Sequence, residues 1–135
     1  MNRSFGEIIH TYTRRQAMAA GDLVDVTDTA REAGIRLPVA LTRAVWEDCV
    51  ACSGEDSRRT GAVQDEAGRL WDVLYMTRQA IGRVVGRSDR ATVRLVRVAR
   101  TGRRRHAPCP VRLEAVCGPG DRGEPVITIM QPGED

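Results

Sequence analysis

Cys49 and Cys52 form a C-x-x-C, and Cys109, Cys117 and His106 lie further along the chain. A structural zinc needs four thiolates or imidazoles brought into a tetrahedron, usually from tight turns with the paired spacing repeated. Here the second pair is C-x7-C, and the first falls on the apolar stripe Leu41, Val45, Cys49, Cys52 of an expected helix. Buried thiols in a reducing compartment account for that pattern, and no metal is expected. Asp22, Asp25 and Asp28 recur every third residue and suggest a cation at first sight. On a strand, however, Asp22 and Asp25 point to opposite faces, and the glycine-centred loop of an EF-hand is missing.

His10, Tyr12, Arg14 and Asp25 are the residues an enzyme would use, provided that they converge in one cleft. Neither His10 nor His106 stands in an H-E-x-x-H or beside a nucleophile motif. Gly118 to Gly123, G-P-G-D-R-G, is glycine-rich but lies between two expected strands, with no helix N-terminus to hold a phosphate; it reads as a hairpin turn. No catalytic residue and no cofactor is expected.

The remaining group is the arginines. All 21 basic residues are Arg, a usage that coding bias in a GC-rich genome explains, and their placement says more than their identity. Residues 1–57 carry six Arg against nine acids, residues 58–112 fourteen against four, and residues 113–135 one against five. The chain of net charge +3 is thus an acidic, a basic and an acidic block in series. Arg87, Arg90, Arg94, Arg97, Arg100, Arg103, Arg104, Arg105 and Arg112 fall within 26 residues, the electrostatic footprint of a surface that meets acidic groups. Such arginines either pack and solvate the surface or face an acidic macromolecule; we expect the first eight of them to bind a partner. The five aromatic residues are not interleaved with this run, so stacking platforms of the kind used for single-stranded nucleic acid are missing. A host protein or ribonucleoprotein is therefore expected ahead of free DNA or RNA.

These residues need elements to position them. Thr13 followed by Gln16 is a capping box for a helix over RRQAMAA that stops at Gly21. A short strand, LVDV, and a helix, DTAREA, capped by Thr27 or Asp28 and closed by Gly34, come next. Pro38 suits the first turn of a third helix, VALTRAVWEDCVAC. Residues 53–66 read as a loop, and Leu70, Leu74, Ile81 and Val84 or Val85 mark a fourth helix over 67–85 with Gly86 as its stop. The last third alternates with period 2: ATVRLVRVAR, with a slip at Leu95 and Val96 that suggests a bulge, then PVRLEAVC and PVITIM. The expected fold is a single α+β domain of residues 1–135. It has a three- or four-stranded antiparallel sheet, a C-terminal meander that LVDV can extend, packed on one side by about four helices from the N-terminal half. PVITIM, if it is an edge strand, could pair with a second copy, so monomer and homodimer both stay open.

The longest apolar runs are four or five residues, against the ~20 needed to span a bilayer, so no membrane partner is expected. MNRSFGEIIHTYT has no apolar core of signal-peptide length, and a cytoplasmic protein is expected. YTRRQAMAAGDLVDVTDTAREAGIRLPVALTRAVWEDC, GRLWDVLYM and GPGDRGEPVITIMQPGED resemble the segments of an uncharacterised, domain-of-unknown-function family of small bacterial proteins associated with plasmids, phages and other mobile elements. The resemblance implies no catalytic residues. It does imply a context in which short accessory proteins inhibit host defence by binding, anti-CRISPR proteins among them.

Overall fold

The structure, a computed structural model, describes residues 12–51, 66–84, 88–98 and 108–134. The first described helix, α1 (Arg14–Ala20), opens on the expected reciprocal cap. The Gln16 amide donates to the Thr13 hydroxyl at 2.9 Å, and the Thr13 amide donates to the Gln16 side chain at 2.9 Å. Gly21 closes the helix in the left-handed conformation, φ 83°, that a Cβ disfavours. β1 (Leu23–Asp25) and α2 (Thr27–Glu32) follow. Neither Thr27 nor Asp28 caps α2. Asp25 Oδ1 accepts from both the amide, at 3.1 Å, and the hydroxyl of Thr27, and that hydroxyl in turn accepts from the Val39 amide at 3.1 Å. The side chain expected at the cap thus fastens the helix to the next element.

That next element is a strand, β2 (Val39–Thr42), where a helix from Pro38 was expected. The helix begins only at α3 (Arg43–Val45), whose start is capped by the Thr42 hydroxyl, and it widens into a π turn over Trp46–Val50. The Ala51 amide donates to the Trp46 carbonyl at 2.8 Å, the five-residue step of a π-helix. Cys49, on that turn, is buried among the core residues; Cys52 lies outside the described residues. The chain continues with α4 (Glu66–Gly82), β3 (Arg90–Val98), β4 (Pro108–Pro119) and β5 (Pro125–Met130). Most of the expected 53–66 loop, and the stop at Gly86, lie outside the described residues.

The five strands form one mixed sheet in the order β1-β2-β5-β4-β3. The antiparallel meander β3-β4-β5 is there, and Gly120 to Glu124 turn the β4-β5 hairpin. The expected purely antiparallel sheet of three or four strands is corrected, because β2 enters beside β5 in parallel register, Val39 against Ile127 and Leu41 against Ile129. LVDV joins only through β2, antiparallel to it. PVITIM is therefore a central strand rather than an edge. The suspected bulge at Leu95 and Val96 is also absent: the β3-β4 register runs unbroken from Arg90–Val116 to Val98–Pro108. Leu95 faces the core and Val96, 61% exposed, faces solvent, so the apolar slip is an exposed valine and not an inserted residue.

Val39, Leu41, Val93, Leu113, Ala115, Ile127 and Ile129 line one face of the sheet and pack against α2, α3 with its π turn, and α4 through Ala30, Val45, Val50, Val73 and Leu74. The expected arrangement of all helices on one side is corrected too. Arg14 of α1 reaches Thr128, and Ala40, fully buried beside Thr128 in the register, lies on that second face. A helix therefore covers the β1-β2-β5 half of the outer face, and among the described residues no element covers the β3-β4 half.

Candidate functional site

On the open half, the residues of β3 and β4 that alternate with the core set are Arg90, Thr92, Arg94 and Val96, opposite Val116, Glu114, Arg112 and Pro110. Alternation along each strand forces this arrangement: with Ala91, Val93 and Leu95 buried, the even-numbered positions must face out. Arg94 and Arg112 stand directly across from one another and both are exposed. Like charges at such a pair cost about 0.2–1 kcal/mol relative to a neutral pair. Arg90 approaches Glu114 at 3.8 Å, a long contact between partly exposed groups. Arg94 and Arg112 make no ion pair with a described residue.

Of the eight arginines expected to bind a partner, Arg90 and Arg94 are on this face. Arg97 is paired through its backbone with Cys109 at the far end of the same ladder. Arg87, Arg100, Arg103, Arg104 and Arg105 lie outside the described residues. Arg112, counted in the basic run but not among those eight, is brought beside Arg94 by the hairpin register, a juxtaposition that strand alternation in both segments foreshadows.

The second polar cluster, around the start of α1, is bonded throughout. Tyr12 donates from its hydroxyl to Asp22 at 2.7 Å, and Arg43 reaches the other Asp22 oxygen at 3.1 Å while also donating to the Gly21 carbonyl at 3.0 Å. The bond to Asp22 raises the Tyr12 pKa above the ordinary phenol value, since ionisation would set two negative oxygens face to face. The guanidinium of Arg14 donates to Thr128 Oγ1 at 2.7 Å and to the Ile127 carbonyl at 2.9 Å. Burial lowers its pKa, and the nearby carboxylates of Asp25, Asp121 and Glu124 oppose that shift. Asp121, from the β4-β5 turn, accepts from the Arg14 and Arg15 amides at 2.8 and 3.0 Å and so holds the first two donors of α1. The glycine-rich hairpin thereby clamps a helix. Of the enzyme group, Tyr12 and Arg14 are committed to these bonds, and Asp25 holds Thr27.

Among the described residues no group of three or more His, Cys, Asp and Glu side chains is placed to hold a metal ion. Cys117 is a free thiol. Trp71 and Tyr75 stack at 6.5 Å on the exposed side of α4, away from the arginine face. No described helix is long and apolar enough to cross a membrane.

Over residues 1–135 the chain matches a family of unknown function, DUF6573, and it belongs to that family. No curated protein and no solved structure matches it.

Proposed function

We propose that this member of the family is a small non-enzymatic binding protein that docks on an acidic macromolecular surface through the open β3-β4 half of its sheet. The carrying observation is the Arg94–Arg112 pair, two like charges held across from one another, neither in an ion pair with a described residue, while the neighbouring Glu114 approaches Arg90. Such a pair opposes folding slightly and gains when an anionic partner arrives. The saturated bonding of Tyr12, Arg14 and Asp25 supports the same reading, because side chains already tied into scaffold are poor catalysts.

The finer reading is a host protein or ribonucleoprotein as the partner, engaged in the cytoplasm by an accessory protein of a mobile element, as an anti-defence inhibitor of anti-CRISPR type would do. It rests on the resemblance to small proteins of plasmids and phages, and the free thiol of Cys117 accords with a reducing compartment. Direct DNA or RNA binding by the same face is the second reading, favoured by arginine density. Against it, no aromatic side chain stands on the described part of that face.

A pull-down from host lysate with and without nuclease tests the choice. A protein partner that survives nuclease treatment and is lost with Arg94→Glu is the expected result. Recovery of nucleic acid alone, with affinity falling linearly in log salt, would replace the first reading by the second.

A further inference from the structure

β3 is an outermost strand of the sheet. Its register with β4, together with the 2.8 Å bond from the Cys117 amide to the Asp89 carbonyl, decides where its backbone groups point. Odd-numbered residues exchange hydrogen bonds with β4, and even-numbered residues turn their N–H and C=O to the open edge. Arg90 confirms the phase: its amide donates to Ser88 Oγ at 3.1 Å, and Ser88 donates back to the Arg90 carbonyl at 3.0 Å. That side chain closes one end of the edge. Beyond it, the backbone groups of Thr92, Arg94 and Val96 bond to no described residue. Alongside runs a groove of about 420 Å³ between α4 and β3, walled by Met76, Ala80, Val84 and Arg83.

We propose that β3 is a docking edge for an extended acidic peptide segment of the partner, which joins the sheet as a sixth strand. The inference rests on the acidic-partner reading above and adds the mode of recognition. An added strand would take its main-chain bonds from Thr92, Arg94 and Val96. Its alternate side chains fall on two different surfaces. Those on the outer face lie beside Arg90 and Arg94, with Arg112 one row further, and are acidic. Those on the inner side enter a groove of mixed lining, where Met76, Ala80 and Val84 stand beside Arg83, and the ones packed on the three aliphatic side chains are apolar. The segment recognised is therefore an alternation of carboxylate and apolar residues. A second copy of this chain is the wrong occupant, because pairing β3 with β3 lays Arg90 and Arg94 of both copies on one face.

The probe is an end-blocked, labelled octapeptide of alternating Glu and Val, titrated into the full chain by fluorescence anisotropy and followed by amide hydrogen exchange. Binding is expected, with new protection at the Arg94 and Val96 amides. Thr92→Pro removes a donor that the fold leaves unpaired and changes no charge; it should weaken binding at least tenfold with an unaltered circular dichroism spectrum. Should the proline disturb the strand, the wild-type chain with the octapeptide N-methylated along the edge facing β3 makes the same test, with the same tenfold loss expected. Equal binding by the N-methylated peptide, or unchanged exchange at Arg94 and Val96, overturns the strand-addition mode. If Arg94→Glu still abolishes binding in that case, the acidic-partner reading survives alone. No binding of the octapeptide, or a dimer in sedimentation held through β3, also overturns the proposal.

Discussion

Under α1, the guanidinium of Arg14 holds a hydroxyl and a backbone carbonyl of β5, and Asp121 and Asp22 are each bonded twice. On the neighbouring strands β4 and β3, on the same face of the sheet, Arg112 and Arg94 stand opposite each other with no such bonds. Both halves are built from arginine and short polar residues, so composition does not distinguish them. Their bonding does. A charged group surrounded by fixed partners has its energy already committed to holding the fold, whereas an exposed charge facing a like charge can improve only by meeting something else. The covered half is scaffold, and the open half is where the proposed partner would gain most.

Breaking the covered half should cost stability. Arg14→Ala removes two hydrogen bonds from a half-buried guanidinium and should lower the unfolding free energy by about 2 kcal/mol, read from the urea midpoint. A variant that unfolds at the wild-type midpoint would mean that α1 is not anchored there. Asp121→Ala strips the carboxylate from the first turn of α1 and should cost about 1 kcal/mol, the usual value of a lost helix cap, measured in the same way.

The open half should respond with the opposite sign. Arg94→Glu turns a like pair into an attractive one across from Arg112 and should raise stability by about 0.5 kcal/mol while removing partner binding. A clear loss of stability would show that Arg94 belongs to the scaffold after all. The smallest effect concerns Tyr12. Its raised pKa means that the bond to Asp22 contributes fully below the ordinary phenol range and is lost as pH rises through the elevated value. Asp22→Asn should bring Tyr12 ionisation down toward the ordinary value in an ultraviolet titration; an unchanged titration curve would remove Asp22 as its cause.

Local signals were legible along much of the chain. Thr13 and Gln16 announced their reciprocal cap, Gly21 its left-handed stop, and the alternation in PVRLEAV and PVITIM its buried face, because each depends on residues a few positions apart. VALT was read as the start of a helix since Pro38 suits a first helical turn and Leu41, Val45, Cys49 and Cys52 fall at helical spacing. What overruled that spacing was a slot between β1 and β5, where Val39 and Leu41 lie beside Ile127 and Ile129. Such pairing joins residues 88 positions apart, Val39 and Ile127, and leaves no local trace. Asp121 was hidden for the same reason: within its own segment it is a turn residue, and only the folded hairpin carries it to the amides of Arg14 and Arg15.

By itself, then, the amino-acid sequence determined the α+β class, the cap and stop of α1, the strands of the C-terminal meander and the concentration of arginine in the segment that holds β3, since propensity, capping and alternation act over one or two turns of chain. Only the tertiary structure decided that β2 is a parallel strand at the centre of the sheet and that α1 covers one half of its outer face. It also decided that Arg94 meets Arg112 on the other half. Those outcomes depend on which surfaces are left to be buried once the strands have assembled, and burial of that kind is a property of the whole chain.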